Sequence, residues 1–413
     1  MMEYGCIGEH LPHSFSKEIH ALIGDYDYSL RELTPDMLGP FMTAKEFSAI
    51  NVTIPYKQAV LPYLDRIDDA AAAIGAVNTI VNNNGKLYGY NTDAYGMEAL
   101  IRKEKWMLSG KKALILGTGG TSKTAYYTAK RLGAAEVIRV SRTPDVQSVS
   151  YNDALTLHGD TNVIINTTPA GMFPHICETP ININAFPQLE SVLDAVYNPL
   201  VTQLVLNAQK KGINAQTGLY MLVAQAVRAY EIFMDRSAPE DMTDNIYNKV
   251  FSAKLNIVLT GMPGSGKTTI GRLLAKEMNR EFIDTDELIV RKSGCSIPEI
   301  FASHGETYFR ELETEMIREI APCSGCVIAT GGGAVLRPEN VDALKMNGKL
   351  YFLDRSPSLL VPTEDRPLAA SGKAVLQRYK ERYGIYMDTA DETVPDNDTP
   401  ATVVAEIERR HTL

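Results

Sequence analysis

Two glycine-rich turns, each directly after a short apolar strand pattern, constrain this chain more than any other feature. The first is Ala113-Leu-Ile-Leu116 followed by Gly117-Thr-Gly-Gly-Thr-Ser122. The second is Leu255-Asn-Ile-Val-Leu259 followed by Gly261-Met-Pro-Gly-Ser-Gly-Lys-Thr268. A strand that runs through glycines into a helix offers backbone N–H groups and a helix N-terminus to a phosphate. One sheet seldom carries two such turns of different design. The chain is therefore expected to hold two nucleotide-binding units, each of parallel α/β layers.

The 413 residues allow about two to four domains. Residues 219–234 read as a helix, with Leu219, Leu222, Val223, Ala226, Val227 and Tyr230 in apolar periodicity. Ser237-Ala-Pro239 interrupts it, and a short helix over 240–251 follows. A strand over 255–259 then opens the second unit, which places the boundary near 252–254. Residues 1–100 show strand-like pieces at 48–55 and 77–81 but no phosphate turn, as a substrate domain would. The expected division is 1–100 with 218–252, then 101–217, then 253–413.

Apolar residues at 45% and charged residues at 22% suit folded cores and exclude disorder over most of the chain. The net charge of −9 gives no support to nucleic-acid binding or to a polybasic membrane face. There is no run of about 18 apolar residues and no signal-peptide pattern, so a cytoplasmic enzyme is expected. Five scattered cysteines argue for reduced thiols. Cys323-Ser-Gly-Cys326 has the spacing of half a zinc site or a redox pair, but no second such pair lies near it.

The first turn is followed by a helix expected at 123–132. Ser122 stands where the dinucleotide fingerprint has its third glycine, and a plain strand–helix turn would also fit. The strand 136–140 ends in Ser141-Arg142-Thr143. Arg at this place suits a ribose 2′-phosphate, although a solvated loop arginine reads the same way. Upstream, Asn51-Val-Thr-Ile-Pro-Tyr-Lys57 puts a lysine just past a strand, and Gly89-Tyr-Asn91-Thr-Asp93 adds an amide and a carboxylate. A Lys–Asp pair can serve carbonyl reduction, the ammonium polarising the carbonyl and supplying a proton. A surface lysine is the plain alternative.

These pieces occur together with Gly8-Glu-His-Leu-Pro-His-Ser14-Phe-Ser16, Gly75–Thr79, Asn166–Met172, Asp194-Ala-Val-Tyr197-Asn-Pro199 and Gly218-Leu-Tyr-Met221-Leu-Val-Ala-Gln225. As a set, in this order, residues 1–251 resemble shikimate dehydrogenase. The resemblance implies NADPH-dependent reduction of 3-dehydroshikimate to shikimate, with Lys57 and Asp93 as the catalytic pair. It implies that Ser14 and Ser16 hold the substrate carboxylate, and that Thr53, Asn78, Asn91, Tyr197 and Gln225 line the ring. Ser16 could equally cap the helix over 17–23. NADP would rest on Gly117, Gly119, Gly120, Thr121, Ser141, Arg142, Thr143, Thr167, Met172, Gly218 and Met221. The basic residue many relatives carry shortly after Thr143 is absent here; Pro144-Asp-Val146 follows.

The second turn matches the phosphate-loop pattern in full, before a helix expected at 269–278. Its backbone would cradle a triphosphate, Lys267 would reach the β and γ oxygens, and Thr268 would bind Mg²⁺. Phe282-Ile-Asp284-Thr-Asp286 ends a strand with two carboxylates, one able to face the metal and one the acceptor hydroxyl. Tyr308-Phe-Arg310-Glu-Leu-Glu313, Gly331-Gly-Gly333, Arg366-Pro367, Arg382-Tyr-Gly-Ile-Tyr386 and Asn397-Asp-Thr399-Pro400 complete a set that resembles shikimate kinase over 254–413. The resemblance implies ATP-dependent phosphorylation of the shikimate 3-hydroxyl. Asp286 would be the base, and Arg310, Arg382, Gly331, Gly332 and Gly333 would hold the acid. Asp284 would orient Mg²⁺ mainly through water, and Arg366 would close over the phosphates as a lid arginine. Gly261, Pro263, Gly264, Ser265, Gly266, Lys267, Thr268, Thr269, Asn397 and Thr399 would bind ATP. The lid, from Asp354 to Arg366, is several residues shorter than usual.

The expectation is a fused bifunctional enzyme whose first product is its second substrate, with free diffusion between the sites and a homo-oligomer left open. Two alternatives stand beside it: a quinate/shikimate dehydrogenase preferring NAD, fused to the kinase, and a degenerate metabolite sensor. The presence of Lys57, Asp93, Lys267, Thr268, Asp286 and Arg382 argues against the sensor.

Overall fold

A computed structural model describes residues 3–11, 15–24, 26–360, 372–395 and 399–411. The chain divides into two compact units, Met1–Asn198 with Thr202–Val250, and Phe251–Leu413 with Pro199–Val201. The helix Met242–Lys254 spans this division, and the next strand begins at Asn256. Among the described residues no helix is long and apolar enough to cross a membrane.

The first unit opens with six strands: β1 (Tyr4–Gly8), β2 (Tyr28–Glu32), β3 (Ala49–Val52), β4 (Arg66–Ile67), β5 (Thr79–Asn83) and β6 (Lys86–Tyr90). They lie in the order β2-β1-β3-β5-β6-β4. β1 is parallel to β2 and β3, whereas β5 is antiparallel to both β3 and β6. Ile7, Ile50 and Ile80 bury against Leu38, Phe41 and Met42 of the helix Pro35–Ala44. Cys6, Tyr28 and Ala49 instead pack with Ala229 and Phe233 of the helix Leu219–Met234. That late helix therefore joins the core of the first sheet.

A second sheet follows: β7 (Lys112–Leu116), β8 (Glu136–Ser141), β9 (Ser148–Ser150), β10 (Val163–Asn166), β11 (Ser191–Asp194) and β12 (Asn214–Thr217). All pairings are parallel, in the order β12-β11-β10-β7-β8-β9. β10 and β11 are buried at every position, as strands covered by helices on both faces must be. The chain winds one way from β7 and the other way from β10. The turns after these two neighbours thus share the carboxyl edge where the winding reverses, which is where open α/β sheets bind ligands.

The second unit has β13 (Asn256–Thr260), β14 (Phe282–Asp284), β15 (Val327–Ala329), β16 (Gly348–Asp354) and β17 (Glu392–Pro395). They are all parallel, in the order β14-β15-β13-β16-β17. β13 is central and buried throughout. Its Ile257 and Leu259 pack with Leu274 of the helix Lys267–Glu277 and with Val404 of the helix Pro400–His411.

Both helices after the glycine turns start earlier than periodicity suggests, at Gly120 and Lys267. Apolar spacing cannot see a first turn whose N–H groups face a ligand rather than a core. At Ser16 the capping reading is corrected: the helix Ser16–Ile23 already includes Ser16, and Phe15 holds the cap position.

Candidate active sites

In the first unit, Lys57 lies beyond β3 and Asp93 in the first turn of the helix Thr92–Lys103. Lys57 Nζ donates to Asp93 Oδ2 at 2.5 Å, with only 14% and 10% of the two side chains exposed. Asn78 Nδ2 donates to Asp93 Oδ1 at 3.0 Å and to Thr92 Oγ1 at 2.9 Å. Thr92 Oγ1 donates on to Gln225 Oε1 at 3.2 Å, and Asn78 Nδ2 is also 3.4 Å from that oxygen. Residues from 57 to 225 thus converge on one ion pair, lined by neutral amides and hydroxyls that suit a polyol ring.

Gln225 arrives because two helices nearly touch. A Cβ on Gly96 would lie 2.4 Å from Met221 O and 3.0 Å from Gln225 Cβ. Met221 itself is buried in the core with Met97 and Leu100. Asn91 caps the helix Thr92–Lys103: its Oδ1 accepts from Ala94 N at 3.1 Å and its Nδ2 donates to Ala76 O at 2.9 Å. Thr53 N donates to Ile7 O, and the Thr53 methyl sits where a Gly8 side chain would begin. Tyr197 packs against Phe15 with the rings tilted at 57° and centroids 5.2 Å apart, and burial pushes its phenol up to about 12. Ser14 lies outside the described residues.

The nucleotide turn abuts this pair. A Cβ on Gly120 would be 3.7 Å from Lys57 Cβ and Cδ. Gly117 has φ +107°, and a side chain there would meet Thr167 Oγ1 at 2.9 Å; Gly119 faces open space. This bare edge fits a pyrophosphate. Thr167 Oγ1 donates to Leu116 O at 2.6 Å, tying the turn after β10 to the end of β7. Gly218 is tight, since a Cβ would strike Ala195 O at 2.3 Å. Ser141 Oγ and the backbone of Thr143 hold the turn after β8 together. Arg142 beside them is exposed, as is Met172. Both are open to an adenosine or nicotinamide ribose.

Asp194, quoted in a motif above, had no role assigned from the sequence. It is fully buried at the end of β11, accepting from Asn166 Nδ2 (2.9 Å), Val196 N (3.1 Å) and Thr202 Oγ1 (2.7 Å). Desolvation pushes its carboxyl up to about 7 despite those donors. It anchors the strand ends beneath the nucleotide turn.

In the second unit Gly261, Gly264 and Gly266 all have positive φ, which lets successive N–H groups point inward. Lys267 Nζ reaches Gly261 O (2.8 Å) and Met262 O (2.9 Å). Ser265 Oγ is buried without a hydrogen-bond partner among the described residues, as a cradle awaiting phosphate oxygens would leave it. Thr268 Oγ1 donates to Asp284 Oδ2 at 2.8 Å, a hydroxyl and a carboxylate of the hard-oxygen type that Mg²⁺ prefers. Asp284 also caps the helix Thr285–Ser293 through Asp286 N and Glu287 N. Thr269 and Thr399 are exposed; Thr399 Oγ1 pairs with Thr402 Oγ1 at 2.9 Å. Arg366 and Asn397 lie outside the described residues.

The three glycines after β15 each yield to a different neighbour. A Cβ on Gly331 would meet Glu313 Oε1 at 2.5 Å and Asp286 Oδ1 at 2.7 Å. One on Gly332 would strike Pro263 Cδ at 2.7 Å, and one on Gly333 would strike the Arg310 guanidinium. Arg382 Nη1 donates to Gly332 O at 3.2 Å, and Tyr386 OH donates to the same oxygen. Asp286, Arg310, Arg382 and the phosphate loop thus meet around one strand end. Glu313, likewise quoted without a role, is fully buried and takes Arg310 Nη1 at 2.8 Å. Burial pushes Glu313 up, while Arg310 pulls it down. Burial works against the Arg310 charge too, yet Glu313 and Glu306 hold the guanidinium above its ordinary range.

Comparison with known proteins agrees with this geometry. Residues 6–80 match the family described as the shikimate dehydrogenase substrate binding domain, and residues 263–411 match shikimate kinase. A Clostridium beijerinckii protein, shikimate dehydrogenase (NADP(+)), is 35% identical over 262 residues, covering 59% of this chain and 96% of the relative. The crystal structure of shikimate dehydrogenase 1 from Peptoclostridium difficile is 31% identical with a TM-score of 0.56, covering 60% of this chain and 98% of that one. A chorismate mutase/shikimate 5-dehydrogenase fusion from Clostridium acetobutylicum is 33% identical with a TM-score of 0.57, covering 60% and 97%. The chain belongs to the shikimate dehydrogenase family and carries a shikimate kinase domain behind it.

Proposed function

We propose that this chain is a bifunctional enzyme of the shikimate pathway, reducing 3-dehydroshikimate to shikimate and then phosphorylating shikimate on its 3-hydroxyl. NADP and ATP are its cofactors, with Mg²⁺ as the usual companion of ATP. The observation that carries the reading is the coexistence of the amide-lined Lys57–Asp93 pair and the phosphate loop facing Arg310, Arg382 and Asp286.

Bound NADPH supplies the hydride of the first reaction. Lys57 polarises the ketone and delivers a proton to the developing alkoxide. Asp93 holds the ammonium in place and accepts from a neighbouring ring hydroxyl. Asn78, Asn91, Thr53, Tyr197 and Gln225 orient the ring, and Ser14 with Ser16 hold its carboxylate. Gly117, Gly119, Gly120 and Thr121 seat the pyrophosphate; Ser141, Arg142 and Thr143 receive the 2′-phosphate. Thr167, Met172, Gly218 and Met221 form the nicotinamide side.

Bound Mg-ATP supplies the phosphoryl group of the second reaction. Asp286 takes the proton from the acceptor hydroxyl. Arg310, Arg382 and the glycines at 331–333 hold the acid, and Glu313 keeps Arg310 fixed. Lys267 and the loop N–H groups stabilise charge on the phosphates, with Thr268 and Asp284 serving the metal. The resemblance to shikimate kinase supports a lid role for Arg366 and base contacts for Asn397 and Thr399. The division into 1–100 with 218–252, 101–217 and 253–413 belongs to this reading, as does a cytoplasmic setting.

Two separate assays test it: shikimate-dependent reduction of NADP⁺, and shikimate-dependent release of ADP. Faster turnover of quinate with NAD⁺ than of shikimate with NADP⁺ would overturn the first half. Shikimate-independent ADP release would overturn the second.

A further inference from the structure

Behind the Lys57–Asp93 pair lies a buried polar chain of which only Asn78 belongs to the proposed ring site. Tyr28 OH donates to Asn51 Oδ1 at 2.7 Å, and Asn51 Nδ2 is 3.1 Å from Thr79 Oγ1. Thr79 Oγ1 is 3.1 Å from Asn78 Oδ1, and Asn78 Nδ2 donates to Asp93 Oδ1 at 3.0 Å. Exposure is 5% at Tyr28, 7% at Asn51, 0% at Thr79 and 3% at Asn78, so water does not compete for these bonds. Asn51 and Thr79 are register partners across β3 and β5, which fixes their separation through the sheet.

We infer that Asn51 and Thr79 are positioning residues for the dehydrogenase reaction, the middle members of a one-way hydrogen-bond relay from the Tyr28 phenol to the Asp93 carboxylate. The direction follows from donor chemistry. The Asn78 backbone carbonyl, an acceptor only, takes Asn51 Nδ2 at 3.3 Å, which fixes the NH₂ end of that amide beside Thr79 and leaves Oδ1 to accept from the Tyr28 phenol. Thr79 Oγ1, once it accepts from Asn51 and with Thr92 Oγ1 beside it at 3.2 Å, has its own hydrogen left for Asn78 Oδ1 at 3.1 Å. The Thr92 N–H, at 2.7 Å, donates to that same oxygen. With its oxygen held from two sides, Asn78 can present only N–H to Asp93. The carboxylate then stays a pure acceptor, with Oδ1 toward Asn78 and Oδ2 toward Lys57. Networks of this kind strengthen one another in a low-dielectric interior.

The far end is built to stay a donor. His20 stacks on Tyr28 with ring centroids 3.7 Å apart and planes 8° apart, which locks the phenol ring. Desolvation holds the Tyr28 phenol well above its ordinary range, so it keeps its proton.

This inference rests on the proposed dehydrogenase activity, and turnover of shikimate with NADP⁺ by the unaltered chain tests that separately. Thr79→Val keeps the shape and removes the hydroxyl; Thr79→Ser restores it. The expected result is a roughly tenfold lower kcat for Thr79→Val, with KM for shikimate and for NADP⁺ unchanged within about twofold, and near-normal kcat for Thr79→Ser. Tyr28→Phe should lower kcat alone by a smaller factor, and it serves if Thr79→Val fails to fold. Normal kcat in Thr79→Val, or in Tyr28→Phe where that variant stands in, would overturn the relay. Equal losses in Val and Ser, or a loss appearing only in KM, would do the same.

Discussion

The Arg310 guanidinium fills the space in which a Gly333 side chain would start: a Cβ there would lie 2.1 Å from Nη1 and 2.3 Å from Cζ. Glu313 Oε2 holds that same Nη1 at 2.8 Å. A glycine, an arginine and a buried carboxylate therefore set one position together. Gly333→Ala should leave the fold intact, because the displaced atoms end a flexible chain. It should raise KM for shikimate in the kinase reaction at least about tenfold. Steady-state kinetics of ADP release check this, and dehydrogenase kinetics should not change.

Lys57→Met should lower the dehydrogenase kcat by about 10²–10⁴-fold, the usual worth of a positioned acid, while kinase turnover survives. Lys267→Ala should do the reverse. Both rates are measured on each variant; loss of both from either change would refute the assignment of one site to each unit.

Gly96→Ala brings a methyl to within 2.4 Å of Met221 O, a backbone atom that cannot swing aside. The helices Thr92–Lys103 and Leu219–Met234 must separate. Overpacking of this kind costs about 1–3 kcal/mol. A lower melting transition for the dehydrogenase unit, with reduced kcat because Gln225 moves, is the expected outcome.

Asp194 gives a pH signature. Desolvation, its largest influence, lifts its folded-state pKa to about 7, above its ordinary value of 3.8. The folded chain then holds this proton more tightly than the unfolded chain. Its contribution is most favourable below pH 4 and is lost as pH rises toward 7, with a slope of up to about 1.4 kcal/mol per pH unit. Asp194→Asn should remove that slope. Urea midpoints of both proteins between pH 4 and 8 check it: their difference should grow with pH in favour of the variant.

Much of this was readable in the residues, for reasons that vary along the chain. The helix Leu219–Met234 has apolar periodicity over its whole length, and its observed bounds are the expected ones. The phosphate loop carries its geometry in its glycines. Other features depend on tertiary placement. Glu311 and Glu313 look alike in sequence, yet Glu311 is exposed and Glu313 has no exposed surface. The usable signal was the three-residue spacing from Arg310, which puts Glu313 on the same helix face. Asn91 reads as a ring-binding amide and also serves as a helix cap, a role its place before Thr92 could have suggested. The relay through Asn51 and Thr79 needs strand register, which no local pattern supplies.

Both proposed chemistries act on one acid. The most direct measurement is a single reaction holding the purified chain, 3-dehydroshikimate, NADPH and Mg-ATP, with products identified by mass. Shikimate 3-phosphate is expected when everything is present, shikimate alone without ATP, and no product without NADPH. Shikimate that accumulates unphosphorylated with ATP present, or 3-dehydroshikimate left unreduced, would contradict it.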